Sequence, residues 1–172
     1  MEQATIHLID VTDFTLADGS GSAHWFTEAF ETLGLGARAR LVVHDGIADG
    51  LPEVDECCGP GRGVVVSGSY GPIRQNKPWI APLMDFIRRV HGRVGWLLGI
   101  CFGHHALAAA LGGEVGMNPR GREMGSVPLF LTPDGRRSPL FEGFTSGELV
   151  NLVHRTHVSR MPPGRCGSPS TR

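Results

Sequence analysis

The sequence predicts an α/β fold built on a doubly wound, mainly parallel sheet. Segments typical of strands alternate with segments typical of helices along the first two thirds of the chain. Two strand segments, at 63–67 and 94–100, are continuous apolar runs, which are typical of strands buried on both faces. Strands of that kind joined through helices pack as parallel sheets. With 172 residues, of which 41% are hydrophobic and 19% charged, the chain has the apolar content of one folded domain.

The individual elements follow from the spacing of apolar residues. In chain order we expect a strand at Ile6–Val11, a helix capped by Ser22 and ended by Gly34, a strand at Ala37–His44, a strand at Gly63–Ser67, a helix at Trp79–Val90, a strand at Val94–Ile100 and a helix at Phe102–Leu111. The apolar face of the first helix is expected to comprise Trp25, Phe26, Ala29, Phe30 and Leu33. The connection at 45–62 is polar and rich in Gly and Pro, so little regular structure is expected there. After Glu114 the alternation stops, and we expect strands at Val127–Thr132 and Leu149–Val153 with turn-rich connections.

Composition and charge exclude several classes of partner. The net charge is −1, from 16 basic and 17 acidic residues, so there is no field to recruit nucleic acid or an anionic membrane. The longest apolar stretches are far shorter than the ~20 residues of a membrane span, and the first residues do not form a signal peptide. Four cysteines in a chain of this size are not typical of a disulfide framework. These features predict a cytoplasmic protein.

The strongest chemical signal is Gly-Ile-Cys-Phe-Gly at 99–103, at a predicted strand-to-helix junction. It has the form of a nucleophile elbow with Cys101 in the nucleophile position. The flanking positions must be small because the turn is sharp and the backbone passes close to itself. At the start of a helix, the helix dipole favours the thiolate of Cys101. The pattern therefore predicts a cysteine nucleophile, although a buried cysteine at a tightly packed junction has the same spacing.

Acyl transfer by a thiolate also needs donors for the oxyanion. The backbone amide of Phe102, directly after the nucleophile, is one candidate. The second candidate is the loop Gly-Ser-Tyr-Gly at 68–71, which follows the third predicted strand and offers the amide near Ser69. Gly-rich loops are common without any such role, so the loop predicts an oxyanion donor only in combination with the elbow.

Four segments together resemble the class I glutamine amidotransferases. The elbow at 99–104, with the helix and Leu-Gly-Gly-Glu-Val after it, looks like the family's nucleophile region. Val-Val-Val-Ser-Gly-Ser at 64–69 is similar to the family's oxyanion strand and loop. Two later segments, 123–141 and 153–164, resemble the blocks that follow in the family, and the GMP-synthetase type is the nearest pattern. The likeness spans roughly residues 4–164.

The resemblance implies a flavodoxin-like sheet with a nucleophile elbow and the hydrolysis of the glutamine side-chain amide. Cys101 would attack the amide carbon, Ser69 and Phe102 would hold the oxyanion, and Gly68 and His105 would contact substrate. It implies glutamine as a ligand, no cofactor, and a synthetase or other acceptor of ammonia as a partner in trans.

The sequence departs from the family's pattern at three places. His105 stands where the family often has a substrate-binding Gln, and Thr156 stands where a later block has Asp. The third departure concerns the general base, which in the family is the His of a His-Pro-Glu motif near the C-terminus. No Asp or Glu follows Glu148, and we expect no acidic partner near His154 or His157. We therefore expect both histidines to serve packing or hydrogen bonding, and turnover to be impaired.

The last residues depart from the family in composition. We divide the chain into an amidotransferase-like domain at 1–164, incomplete at its C-terminus, and a non-family tail at 165–172. Fifteen of the sixteen basic residues are Arg, which is typical of a GC-rich gene. A shifted reading frame in such a gene yields Arg, Gly, Pro and Ser, so we hypothesise a frameshift or truncation scar from about residue 165. The absence of a His-Pro-Glu segment in the other frames downstream would refute the frameshift.

Other interpretations remain open at this point. The chain could be a non-catalytic glutamine-binding or regulatory domain, or a related γ-glutamyl cysteine hydrolase. His104 and His105 are adjacent and point to different helix faces, so no metal site is expected. Cys57 and Cys58 are interpreted as incidental, although neighbouring thiols can be oxidised.

Overall fold

A computed structural model describes residues 3–71, 73 and 75–163 of the chain. The predicted tail at 165–172 lies outside these residues. The chain forms two compact units, Met1–Leu111 and Gly112–Arg172. Each unit is built on its own sheets.

The first unit is a parallel α/β sheet, as the sequence predicts. Its elements, in order, are β1 (Ala4–Asp10), α1 (Ser22–Thr32), β2 (Ala39–Asp45), α2 (Val54–Cys57), β3 (Gly59–Val66), α3 (Ile80–Val90), β4 (Val94–Gly99) and α4 (Phe102–Ala110). The strand order is β2-β1-β3-β4, and all three pairings are parallel. This order is that of a flavodoxin-like, doubly wound sheet, in which ligands bind beyond the carboxyl ends of the strands.

The core of this unit lies where α3 and α4 cover the central strands. Val64 and Val66 of β3 are fully buried, and Leu83 and Ile87 of α3 are fully buried with them. The helix α4 contributes Ala106, whose small side chain permits close helix packing. The core therefore fixes β3 and β4, the two strands that lead into the predicted catalytic segments.

Helix α1 differs from its prediction. Gly21, not Ser22, is the N-cap, and the Ser22 side chain makes no capping bond. Instead, the Asp10 carboxylate accepts a hydrogen bond from the backbone N–H of Ala23 at 3.1 Å. The predicted apolar face is largely open, since Trp25 is 41% and Leu33 is 69% exposed. A cap supplied from another strand leaves no trace in the local sequence.

The prediction that β4 is buried on both faces is wrong. Within the described residues β4 is an edge strand, and its Trp96 is 42% exposed. The indole of Trp96 lies over Gly63 of β3, where an added Cβ would be 1.9 Å from the ring. The apolar residues of β4 are therefore only partly explained by burial, because Trp96 also covers Gly63 on the neighbouring strand. The connection at 45–62 is also more regular than expected, because it contains α2 and the start of β3.

The second unit consists of two antiparallel strand pairs and a short helix. Strands β5 (Glu114–Met117) and β8 (Thr156–Arg160) form one pair, and β6 (Glu123–Pro128) and β7 (Leu149–His154) form the other. A short helix, α5, covers Pro133–Arg137. The prediction of β7 is confirmed. Strand β6 starts four residues before its prediction, and β5 and β8 were missed, because pairing rather than an apolar run defines these strands.

None of the described helices has the length and apolar character needed to cross a membrane.

Candidate active site

Three parallel strands end at one edge of the sheet and bring three chain segments together there. Residues 11–13 follow β1, residues 67–71 follow β3 and residues 100–101 follow β4. A backbone hydrogen bond from Ile100 to the Val66 carbonyl, at 3.0 Å, holds the β4 segment beside β3. The predicted elbow and the predicted oxyanion loop are therefore neighbours at this edge.

The backbone of the elbow is packed so closely that two positions accept only glycine. A Cβ at Gly99 would lie 2.4 Å from the Gly103 carbonyl oxygen. A Cβ at Gly103 would lie 2.3 Å from the Val66 carbonyl oxygen, and the Gly103 N–H donates to the Ser67 carbonyl at 3.1 Å. These approaches confirm the steric reason given for small residues two positions before and after Cys101.

Cys101 has the backbone conformation of a strained elbow residue. Its φ is 51° and its ψ is −108°, and it is the one non-glycine residue with positive φ in the described ranges. Such a conformation costs about 1–3 kcal/mol and persists only where the surroundings impose it. Cys101 is also the N-cap of α4, and its thiol is exposed. The strained turn thus presents an accessible sulfur at the positive end of a nine-residue helix.

The candidate oxyanion donors belong to Phe102, which follows Cys101 in sequence, and to the loop at 68–71, which lies against Cys101. Phe102 is the first residue of α4, where backbone N–H groups have no acceptor within the helix. Gly68 lies against Cys101, since a Cβ on Gly68 would be 3.5 Å from the Cys101 Cβ. Ser69 follows directly, and its amide belongs to the same short turn after β3.

Asp13 holds the loop that carries Ser69, a role that the sequence did not reveal. Its carboxylate accepts hydrogen bonds from the Ser69 hydroxyl at 2.7 Å and from the Tyr70 backbone N–H at 2.8 Å. It also forms an ion pair with Lys77, the sole lysine, which donates to the Tyr70 carbonyl. Asp13 was not singled out because it lies 56 residues before Ser69 in sequence.

Asp10 holds together the segments that follow β1 and β3. Its Oδ1 accepts from the Ser67 hydroxyl at 2.9 Å and from the Thr12 backbone N–H at 2.9 Å. The Ser67 hydroxyl oxygen accepts from the Val11 backbone N–H at 2.9 Å. Together with its bond to Ala23, Asp10 ties the end of β1 to the end of β3 and to the start of α1.

The two adjacent histidines differ in exposure. His105 is 8% exposed, so it offers little surface to a ligand. Its ring centroid is 5.6 Å from that of His104. Burial lowers the pKa of His104 below its usual value, because a charged imidazole is poorly solvated there.

The expectation that His154 has no acidic partner is wrong. Its Nε2 lies 3.1 Å from the carboxylate of Glu123, which faces it across the β6–β7 pair. The Glu123 carboxylate also accepts from the Asn118 side-chain amide at 2.9 Å. Strand pairing joins residues 31 positions apart, and a search for acids after residue 148 could not find such a pair. The Nδ1 atoms of His154 and His157 are buried and lack a partner within the described part of the chain.

A groove of about 760 Å³ lies between α1 and β2. Its lining includes Thr27, Phe30 and Leu41 but none of the elbow residues. We place the candidate chemistry at the carboxyl edge of the sheet rather than in this groove, because the groove has neither a nucleophile nor a strained residue.

Comparisons with known proteins show which family the chain is similar to. The family model "Glutamine amidotransferase class-I" matches residues 35–166. The chain is 35% identical over 102 residues to γ-glutamyl peptidase 5 of Arabidopsis thaliana, covering 58% of this chain and 41% of that protein. It is 32% identical over 104 residues to a glutamine-hydrolysing GMP synthase of Nitratiruptor, covering 60% of this chain and 19% of that protein. The chain spans about two fifths of the length of the first curated relatives that it matches.

Solved structures show the same fold. A glutamine amidotransferase from Thermotoga maritima superimposes with a TM-score of 0.72 at 18% identity, covering 98% of this chain and 67% of that one. A glutamine amidotransferase from Methylobacillus flagellatus gives a TM-score of 0.63 at 23% identity, covering 94% and 58%. Since the family model matches well over half of the residues, the chain belongs to the class I glutamine amidotransferase family.

Proposed function

We propose that this chain hydrolyses the side-chain amide of glutamine through a thioester on Cys101. The observation that carries the proposal is the positive φ of Cys101 between two glycines that tolerate no Cβ. Backbone strain at a non-glycine residue costs free energy, and such residues cluster at functional sites; in parallel sheets these sites lie at the carboxyl ends of the strands. The exposed thiol at the N-terminus of α4 supports a role for Cys101 as a nucleophile.

The proposed chemistry proceeds in two steps. The Cys101 sulfur attacks the amide carbon, a C–S bond forms, and the carbonyl oxygen takes up the negative charge. The backbone N–H groups of Phe102 and Ser69 donate to that oxyanion, while Gly68 contacts the bound glutamine. When the oxyanion collapses, the C–N bond breaks, and the nitrogen takes a proton and leaves as ammonia. Water then attacks the thioester, which releases glutamate and restores the thiol.

We expect the turnover of this chain to be weak. The leaving nitrogen needs a proton, and the attacking water must lose one, so both steps depend on an oriented general acid–base. No His-x-Glu segment occurs anywhere in the sequence. Without such a base, water molecules must donate and accept the protons, which typically lowers the rate 10²–10⁴-fold.

The acceptor of the ammonia is part of the proposal. One relative is a GMP synthase, a glutamine-hydrolysing enzyme by its name. We propose that a synthetase partner, supplied in trans, takes the ammonia from this chain. The proposed setting is the cytoplasm, where glutamine is present and a free thiol stays reduced.

Ammonia release tests the glutaminase proposal directly. The purified chain is incubated with glutamine, and ammonia is measured against Cys101→Ser and Cys58→Ser variants. Slow release that disappears in Cys101→Ser and persists in Cys58→Ser supports the proposal. Equal release by the Cys101→Ser variant would contradict it.

A second candidate function is the cleavage of γ-glutamyl peptides. The match to γ-glutamyl peptidase 5 favours it, because the same thioester would form on Cys101 with an amine as the leaving group. A panel of γ-glutamyl dipeptides beside free glutamine separates the two. Faster cleavage of the dipeptides would favour the peptidase, and binding of glutamine without release of ammonia would favour a non-catalytic binding domain.

A further inference from the structure

We propose that His7, His44 and Cys57 form a zinc site in the first unit, separate from the cysteine elbow. Each of these residues offers one ligand atom, and the three atoms lie within 4.8 Å of one another. Two imidazole nitrogens and one thiolate are ligands that Zn²⁺ prefers. The family's chemistry does not use these residues.

The topology of the first unit brings the three residues together. His7 lies on β1 and His44 on the adjacent parallel strand β2, where His7 pairs with Val42 and Ile9 pairs with His44. Positions two apart on a strand share a face, so the two histidines are diagonal neighbours on one face of the sheet. Cys57 is the last residue of α2 and is fully buried in the core.

His7 is the residue that most needs an explanation. It is 5% exposed and sits in the central run of β1, between apolar positions where a β-branched residue would pack at no polar cost. Its Nδ1 is hydrogen-bonded to the His44 Nε2, but its Nε2 is buried and lacks a partner within the described ranges. A buried unpaired nitrogen costs about 1–3 kcal/mol. His7 is therefore costly as a packing residue, which makes it a candidate ligand.

The spacing suits a tetrahedral ion. With Zn–N bonds of about 2.0–2.1 Å, two ligand nitrogens at the tetrahedral angle lie about 3.3 Å apart. The His7 and His44 nitrogens that approach each other are 3.1 Å apart, with rings inclined by 16°. Cys57 would complete a three-residue set, and a water would take the fourth position of the ion.

The charges around the cluster are mixed. The Glu56 carboxylate acts on all three groups and favours a cation. Arg40 and Arg62 act on His7 in the opposite sense. The Arg62 guanidinium also donates a hydrogen bond to the Glu56 backbone carbonyl at 2.6 Å. Binding would exchange the Cys57 thiol proton for Zn²⁺, and the proton would pass to solvent. The thiolate and Glu56 would then together balance the charge of the ion.

Cobalt titration tests the proposal, because Co²⁺ takes the same ligands as zinc and absorbs light. The chelator-treated chain is titrated with Co²⁺, and the thiolate-to-cobalt charge-transfer band is recorded. We expect one ion per chain, a band that one equivalent of Zn²⁺ abolishes, and an upward shift of the melting temperature with Zn²⁺. A folded chain that gives no charge-transfer band would overturn the proposal.

Matched variants locate the ligands. Cys57→Ser should abolish the band, whereas Cys58→Ser and Cys101→Ser should keep it. His44→Ala, at a half-buried strand position, should weaken Co²⁺ binding at least tenfold. This variant tests the site even if Cys57→Ser does not fold. A band that survives in Cys57→Ser, or unchanged affinity in folded His44→Ala, would place the ion elsewhere and refute the site.

Discussion

The elbow glycine Gly103 offers the sharpest structural prediction. A Cβ at this position would lie 2.3 Å from the Val66 carbonyl oxygen and 2.9 Å from the Ser67 carbonyl oxygen. Ordinary contact starts at 3.4 Å, so the shorter approach falls about 1 Å short. The obstructing atoms are backbone atoms at the end of β3, in the buried core, and they cannot rotate away.

Replacing Gly103 with Ala should therefore force α4 away from β3. Overpacking of a filled core costs about 1–3 kcal/mol, and rigid backbone atoms favour the upper half of that range. Alanine's better helix propensity offsets at most about 1 kcal/mol of it. We expect the free energy of unfolding to fall by about 1–3 kcal/mol. Urea denaturation followed by circular dichroism measures the change.

Gly36→Ala is the matched control for this substitution. A Cβ at Gly36 meets nothing within 4 Å, and the residue does not have positive φ. We expect it to change the free energy of unfolding by no more than about 0.5 kcal/mol. If Gly103→Ala were as stable as Gly36→Ala, the close approach between α4 and β3 would not exist and the steric account of the elbow would be refuted.

Three further predictions follow from the same geometry. Asp13→Ala should slow modification of Cys101 by a glutamine-like electrophile about tenfold, because the loop that carries Ser69 loses both hydrogen bonds to the carboxylate, while Asp18→Ala, in the same β1–α1 connection, should leave the rate unchanged; equal rates for the two variants would show that Asp13 does not support the site. Cys101→Gly should unfold with a free energy about 1 kcal/mol above that of Cys101→Ala, because glycine relieves the positive φ at some cost in chain entropy; equal stabilities in urea would mean the turn is unstrained. The lowered pKa of His104 means that the unfolded chain takes up a proton first on acidification, so stability should fall as the pH drops below about 6.5, and His104→Gln should reduce that fall; an identical pH profile would contradict the burial of His104.

Local patterns predicted the parallel half of the fold well. The strands β1, β3 and β4 and the helices α3 and α4 carry their own apolar spacing, and the Gly-x-Cys-x-Gly signal has a steric cause that acts within five residues. The exposure of Trp96 was not predictable, because it depends on which strand lies beside β4. An apolar run alone does not distinguish a central strand from an edge strand.

The residues that sequence reasoning missed all act across long separations. Asp13 reaches Ser69, Asp10 caps α1, and Glu123 meets His154, each through strand order or pairing rather than through neighbouring sequence. Polar groups of this kind have no periodicity, so only the folded topology reveals them. Alternation was also absent from β5 and β8, which are defined by pairing with each other.

Covalent labelling of Cys101 tests the central claim most directly. The chain is exposed to a glutamine analogue that carries an electrophilic carbon, and the modified residue is identified by mass spectrometry of peptides. Labelling requires the nucleophile, the proposed oxyanion donors and a site that binds glutamine, but it does not require a general base. We predict one adduct per chain, on Cys101, that excess glutamine suppresses and that Cys58 does not share. An intact, folded chain that remains unlabelled, or that reacts at Cys58 at an equal rate, would contradict the assignment of Cys101 as the nucleophile.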